Sequence, residues 1–93
     1  MMIIRILGEG QYDVPESALT ELNTLDAAVQ AAVEAGDTIA FRARLDDLLA
    51  AVRERGTYVP DDVLTASDLV LPAPDSELAE VAALLGDEGL IPG

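Results

Sequence analysis

The 93 residues include no cysteine, no histidine and no lysine, and the aromatic side chains are only Tyr12, Phe41 and Tyr58. Without cysteine there are no disulfides and no thiolate chemistry, which agrees with a reducing compartment. Without histidine or lysine, none of Ser17, Ser67 and Ser76 has a base to activate it. Zinc prefers Cys and His, so carboxylates alone are left as candidate metal ligands. The adjacent pairs Asp46-Asp47, Asp61-Asp62 and Asp87-Glu88 lack the alternating spacing of a calcium loop, and neighbouring carboxylates on a helix diverge. A paired-carboxylate hydrolase needs a cleft, which a small chain with few aromatics is poorly equipped to build. The residues therefore predict no enzyme, no metal site and no cofactor. Long apolar runs are also missing, none approaching the roughly 18–20 residues that span a bilayer. The opener Met1–Leu7 is too short for a signal peptide and lacks its cleavage pattern, so a cytoplasmic protein is expected.

What is abundant is acid. Eighteen Asp and Glu against five Arg give a net charge of −13. Such a field is repelled by phosphate backbones and by anionic head groups, so nucleic-acid binding and direct membrane binding are not expected. Attraction to a basic protein surface and simple solubility both fit the charge.

The hydrophobic fraction of 51% supports one modest core, and residues 1–93 read as a single domain. The chain is organised around Pro15–Arg55, which reads as two antiparallel helices of about 15–35 and 37–55. Ala18, Leu22, Leu25, Val29 and Ala32 alternate four- and three-residue steps and line one face, widened by Leu19 and Val33. Glu16, Thr20, Asn23, Ala27, Gln30 and Glu34 fall on positions that can be wet. Pro15 suits a first turn, Gly36 supplies the positive φ of a C-terminal cap, and Asp37 caps the next helix at once. Phe41, Leu45, Leu48 and Val52, with Leu49, repeat the stripe, and Gly56 ends the helix. Four of the five arginines lie on this second helix, balanced by Asp37, Asp46, Asp47 and Glu54, so the negative charge lies elsewhere. The seam would also suit a coiled-coil partner, but helices of this length more often seal each other's faces within a domain.

Before the helices, strands of about 2–7 and 11–14 form a β-hairpin through Gly8-Glu9-Gly10. A phosphate-loop reading of the two glycines fails: a third glycine opening a helix is missing, and Asp13 would repel a phosphate. After the helices, Gly56–Pro60 is extended, Asp61–Leu64 is expected to make a turn of helix, and residues 65–67 are loop. A third strand near 68–71 stops at Pro72-Ala73-Pro74. A short helix of about 76–85 follows, capped by Asp75 or Ser76, with a stripe of Leu78, Val81, Ala82 and Leu85 ended by Gly86. The fold class is α+β: an N-terminal β-hairpin, joined by a strand near 68–71, packed on an antiparallel helical hairpin, with a short C-terminal helix. The Leu90-Ile91 pair in the tail either tucks onto the domain or docks on a partner.

The opener Met2-Ile3-Ile4-Arg5-Ile6-Leu7-Gly8-Glu9-Gly10-Gln11-Tyr12, the run Ser67-Asp68-Leu69-Val70-Leu71-Pro72 and the close Leu84–Gly93 resemble the PspA-associated family, PspAA. The likeness extends across the Glu34–Asp37 corner and covers essentially the whole chain. Proteins like these are typically encoded beside the phage-shock protein PspA, in actinobacteria and some other prokaryotes. PspA is a coiled-coil protein that maintains stressed inner membranes. The resemblance therefore implies a non-enzymatic accessory or regulatory protein of the envelope-stress response, brought to the inner face of the membrane through PspA. It supplies no catalytic residues and no established contact residues. The candidate partner-binding residues are the exposed-looking acids Asp61, Asp62, Asp87 and Glu88 with the tail pair Leu90 and Ile91. Two other classes fit the residues: an acidic inhibitor of a basic nucleic-acid-binding protein, antitoxin-like or anti-sigma-like, and a homodimer that extends its sheet through an exposed edge at Met2–Leu7.

Overall fold

A computed structural model describes residues 2–63 and 65–84. The elements in order are β1 (Met2–Ile6), β2 (Gly10–Val14), a 3-10 turn (Glu16–Ala18), α1 (Leu19–Ala35), α2 (Thr38–Arg55), β3 (Thr57–Val59), β4 (Leu69–Leu71) and α3 (Leu78–Leu84). The strands form one sheet in the order β3-β2-β1-β4. The N-terminal hairpin is antiparallel, β3 adds antiparallel to β2, and β4 adds parallel to β1. The architecture is α+β, with the helical hairpin on one face of a mixed sheet.

Period-two alternation in the opener decides which face is buried. Met2, Ile4 and Ile6 stand opposite Val14, Tyr12 and Gly10, and Ile4 and Ile6 stand beside Leu69 and Leu71. Ile4, Ile6, Val14 and Leu71 are fully buried beneath the helices. The helices contribute Leu22, Val29, Phe41, Leu45, Leu48, Leu49 and Val52 to the same core, with Leu19, Leu25 and Val33 partly buried around it. The heptad-like seams are thus consumed inside the molecule. α3 packs against α1 and α2 and buries Val81.

Sequence and structure agree closely at the corner between the helices. Gly36 adopts φ 67°, its N–H donates to Val33 O at 3.0 Å, and the Asp37 N–H donates to Ala32 O at 3.1 Å. This pair of bonds closes α1 in a Schellman motif that a left-handed residue makes possible. The Asp37 carboxylate then accepts from the Ala40 N–H at 3.0 Å and opens α2. Two free ends are satisfied within two residues, so the chain reverses sharply.

Several expectations need correction. Pro15 is extended and precedes a 3-10 turn, so regular helix begins only at Leu19. Gly56 ends α2 as expected, and does so with φ −94°, an ordinary extended conformation. A side chain would be crowded there: a Cβ would lie 2.7 Å from Val52 O and 3.0 Å from both Tyr12 Cβ and Val14 Cγ2. Residues 57–59 pair with β2 as a fourth strand. Asp61-Asp62-Val63 makes a hydrogen-bonded turn, with Val63 N–H donating to Pro60 O at 3.0 Å, in place of a helical turn. Ala82 is exposed, because in so short a helix Val81, with Leu78 partly buried, takes the side facing the α1–α2 pair. The first turn of α3 is closed by the Glu80 carboxylate, which accepts from the Glu77 N–H at 3.3 Å. Met2–Leu7 offers no open edge: β1 is flanked by β2 and β4, and the edges of the sheet are β3 and β4. Leu85 and Gly86 lie outside the described residues.

Candidate interaction surface

β3 and β4 are opposite edges of the sheet, so the connection between them must cross a face. The helices occupy one face, and the connection runs over the other. Gln11, on the outer side of β2, holds it: the side-chain amide donates to Thr65 O at 3.0 Å and to Ser67 Oγ at 2.8 Å. Gln11 is buried beneath the crossing chain, where an unbonded amide would be penalised. Asp68 completes the anchorage; its Oδ2 accepts from the Ile3 N–H at 2.9 Å, and its own N–H donates to Ile3 O at 2.8 Å.

The first bend of this connection carries Asp61 and Asp62, both exposed. Tyr58 on β3 donates its hydroxyl to Asp61 Oδ1 at 3.2 Å, and that bond raises the Tyr58 pKa. The Tyr58 ring packs edge-on against Tyr12, with centroids 5.6 Å apart. Tyr12 donates to Glu9 Oε2 at 3.0 Å. Glu9 in turn receives a two-pronged grip from Arg53 at the end of α2, with Nε to Oε2 at 2.9 Å and Nη2 to Oε1 at 2.7 Å. Hydrogen bonding from the Arg53 guanidinium holds the Glu9 carboxyl below the usual glutamate range, and the same contact raises Arg53. Burial, followed by the Glu9 contact, pushes the Tyr12 phenol up. A relay of side chains thus joins the hairpin turn, the end of α2, β3 and the acidic bend.

Asp61 and Asp62 are therefore neighbours on a fixed, solvent-facing turn. Asp87, Glu88, Leu90 and Ile91 lie outside the described residues. The Glu9–Arg53–Tyr12 grip and the Gln11 anchor did not emerge from sequence reasoning. The alternation that placed Tyr12 and Val14 on one side of β2 did place Gln11 on the other, but nothing in the pattern showed that this side is covered. Two polar residues of α1 depart similarly. Asn23, at a position expected to be wet, is half-buried with its Oδ1 out of reach of solvent. Asp26 is almost wholly buried on the inner side of α1. Arg55 pairs with Glu21 at 2.8 Å, tying the end of α2 to the start of α1, and Arg44 pairs with Asp47 at 3.2 Å. Among the described residues, no group of three or more His, Cys, Asp or Glu could hold a metal ion, and no helix is long and apolar enough to cross a membrane.

The sequence matches the PspAA family, described as PspA-associated protein, over residues 2–93. The chain belongs to the PspAA family. No curated protein and no solved structure shows a match to it. The family description links PspAA proteins to PspA by name.

Proposed function

We propose that this PspAA protein is a non-enzymatic accessory of the phage-shock envelope-stress response that works by binding PspA. The match across residues 2–93 carries the reading. On this proposal the protein is cytoplasmic and reaches the inner face of the membrane only through its coiled-coil partner. Charge supports the mode of contact: with a net charge of −13, the module is suited to the basic surface with which a membrane-coating protein meets anionic lipid. Asp61 and Asp62 are part of the contact in this reading, displayed on a bend that Tyr58 and Gln11 hold in place. Asp87, Glu88, Leu90 and Ile91 are the other residues proposed to take part in binding.

Affinity capture of purified PspA by the full chain, repeated across a salt series, tests the proposal. Binding should weaken several-fold between about 50 and 300 mM salt, as screening of exposed charges requires, and Asp61→Asn with Asp62→Asn should weaken it further. Absence of capture at low salt would refute the partnership. Salt-independent capture would refute the electrostatic mode, and unchanged affinity in the double variant would remove these two acids from the contact.

A further inference from the structure

The outer face of the sheet holds a cleft of about 380 Å³ beneath the β3–β4 connection, lined by Arg5, Gln11, Asp61, Val63, Thr65 and Ala66. Arg5 is the one basic residue outside α2. It lies at the centre of the sheet, on the interior strand β1, with Gln11 beside it on one side and Val70 on the other. Arg44, Arg53 and Arg55 each hold a carboxylate within 3.2 Å. Arg5, like Arg42, forms no ion pair and no side-chain hydrogen bond among the described residues, and Arg5 lines this cleft. Asp61 lines the same cleft but does not reach the guanidinium, and its Oδ1 is engaged by the Tyr58 hydroxyl.

From this arrangement we infer that the cleft receives a single carboxylate, the side chain of a glutamate or aspartate on a protein partner. A guanidinium presents a planar fork of donors that matches a carboxylate with two parallel hydrogen bonds. The floor is preformed, because Gln11 is 7% exposed and fixed by Thr65 and Ser67, so little order is lost when a ligand enters. Val63 and Ala66 offer apolar wall to the methylene stem that carries the carboxylate. One cation with an acid at its rim, on a chain of net charge −13, selects a lone negative charge. Phosphodiester runs, anionic vesicles and doubly charged phosphate meet more repulsion than one guanidinium offsets. The acidic bend and this cleft thus give the surface a mixed signature, a basic partner carrying an acid at one point. The inference stands on the cleft and does not require the partner to be PspA.

The test uses the full chain, isotopically labelled, and the probe N-acetyl-glutamate α-amide. The neutral isostere N-acetyl-glutamine amide and inorganic phosphate at matched ionic strength are the comparators. Saturable shifts are expected at the Arg5 Nε–H, the Gln11 side-chain amide and the Thr65 and Ala66 amides. Affinity should fall at least about tenfold for the neutral isostere and for Arg5→Gln, the loss expected for a hydrogen bond to a charged group. Equal shifts with the neutral isostere, a preference for phosphate, shifts that persist in Arg5→Gln, or no shifts at these groups would each overturn the inference. Should Arg5→Gln fail to fold, the two probes on the unaltered chain still decide.

Discussion

Replacing Gly56 with alanine separates two explanations of why a glycine follows α2. If Gly56 served as a left-handed cap, alanine would be penalised by backbone conformation. Its φ of −94° and ψ of 166° are open to alanine, and on conformational grounds alone the change would stabilise the fold by about 0.4–1 kcal/mol through the unfolded chain. Space dictates otherwise. The new methyl would lie 2.7 Å from the Val52 carbonyl oxygen, which is backbone, and 3.0 Å from Tyr12 Cβ and Val14 Cγ2 on the adjoining strand. Overpacking of this kind costs about 1–3 kcal/mol, so the net loss should be about 1–2 kcal/mol. For a domain of this size that lowers Tm by roughly 5–15 °C. Gly36 makes the opposite case, with φ 67° and nothing within 4 Å of an added methyl. Gly36→Ala should lose about 1 kcal/mol, and Gly36→Asn less, because asparagine tolerates the left-handed region. Gly56→Asn should be worse than Gly56→Ala, being larger. Urea unfolding followed by circular dichroism would read all four variants. A Gly56→Ala protein as stable as the parent, or asparagine outperforming alanine at position 56, would refute the steric account.

Two further perturbations follow from the side-chain relay and the crossing chain. Glu9→Gln should lower stability at neutral pH by up to about 1 kcal/mol, a modest figure because both partners of the ion pair are about one-third exposed. The Glu9 pKa is depressed in the folded state, so its contribution is present above the unfolded value and is lost as pH falls through the folded one; the gap between parent and variant in urea midpoint should therefore narrow steadily as the solution is acidified, and a gap that does not narrow would show that charge is not its cause. Gln11→Leu removes the amide that holds Thr65 and Ser67, which should cost about 1–2 kcal/mol and speed amide exchange across residues 65–68 while leaving α1 and α2 unchanged; equal acceleration everywhere would show the anchor to be global.

The helical pair was readable from residues alone because its information is local. Stripes of three- and four-residue spacing, a glycine at position 36 and an aspartate at 37 each state one fact about the same corner, and all agree. The opener was readable as a strand for the same reason, and the run at residues 69–71 as its companion. What was hidden depends on contacts between distant residues. Thr57–Val59 is a short, largely exposed segment whose strand character comes from pairing with β2. β1 is interior only because residues 69–71 return beside it, so its expected open edge does not exist. Gln11 and Asp26 are polar side chains of kinds that favour the surface, yet one lies under the crossing chain and the other faces inward from α1. The acids of the candidate surface were visible as a pair, but the tyrosine that holds Asp61 and the arginine left unpaired nearby were assembled by the fold.

The order of strands also governs how the molecule is made. The earliest-synthesised hairpin becomes the middle of the sheet, and its two flanks arrive only with residues 57–71. Until then a growing chain holds two strands with bare hydrogen-bonding margins on both sides. Ile4 must wait for Leu69, and pairings at such separation in sequence form slowly. During that interval the helical pair, complete by Arg55, can already cover the greasy side, leaving the margins themselves as the part of the nascent protein most open to pairing with a stranger.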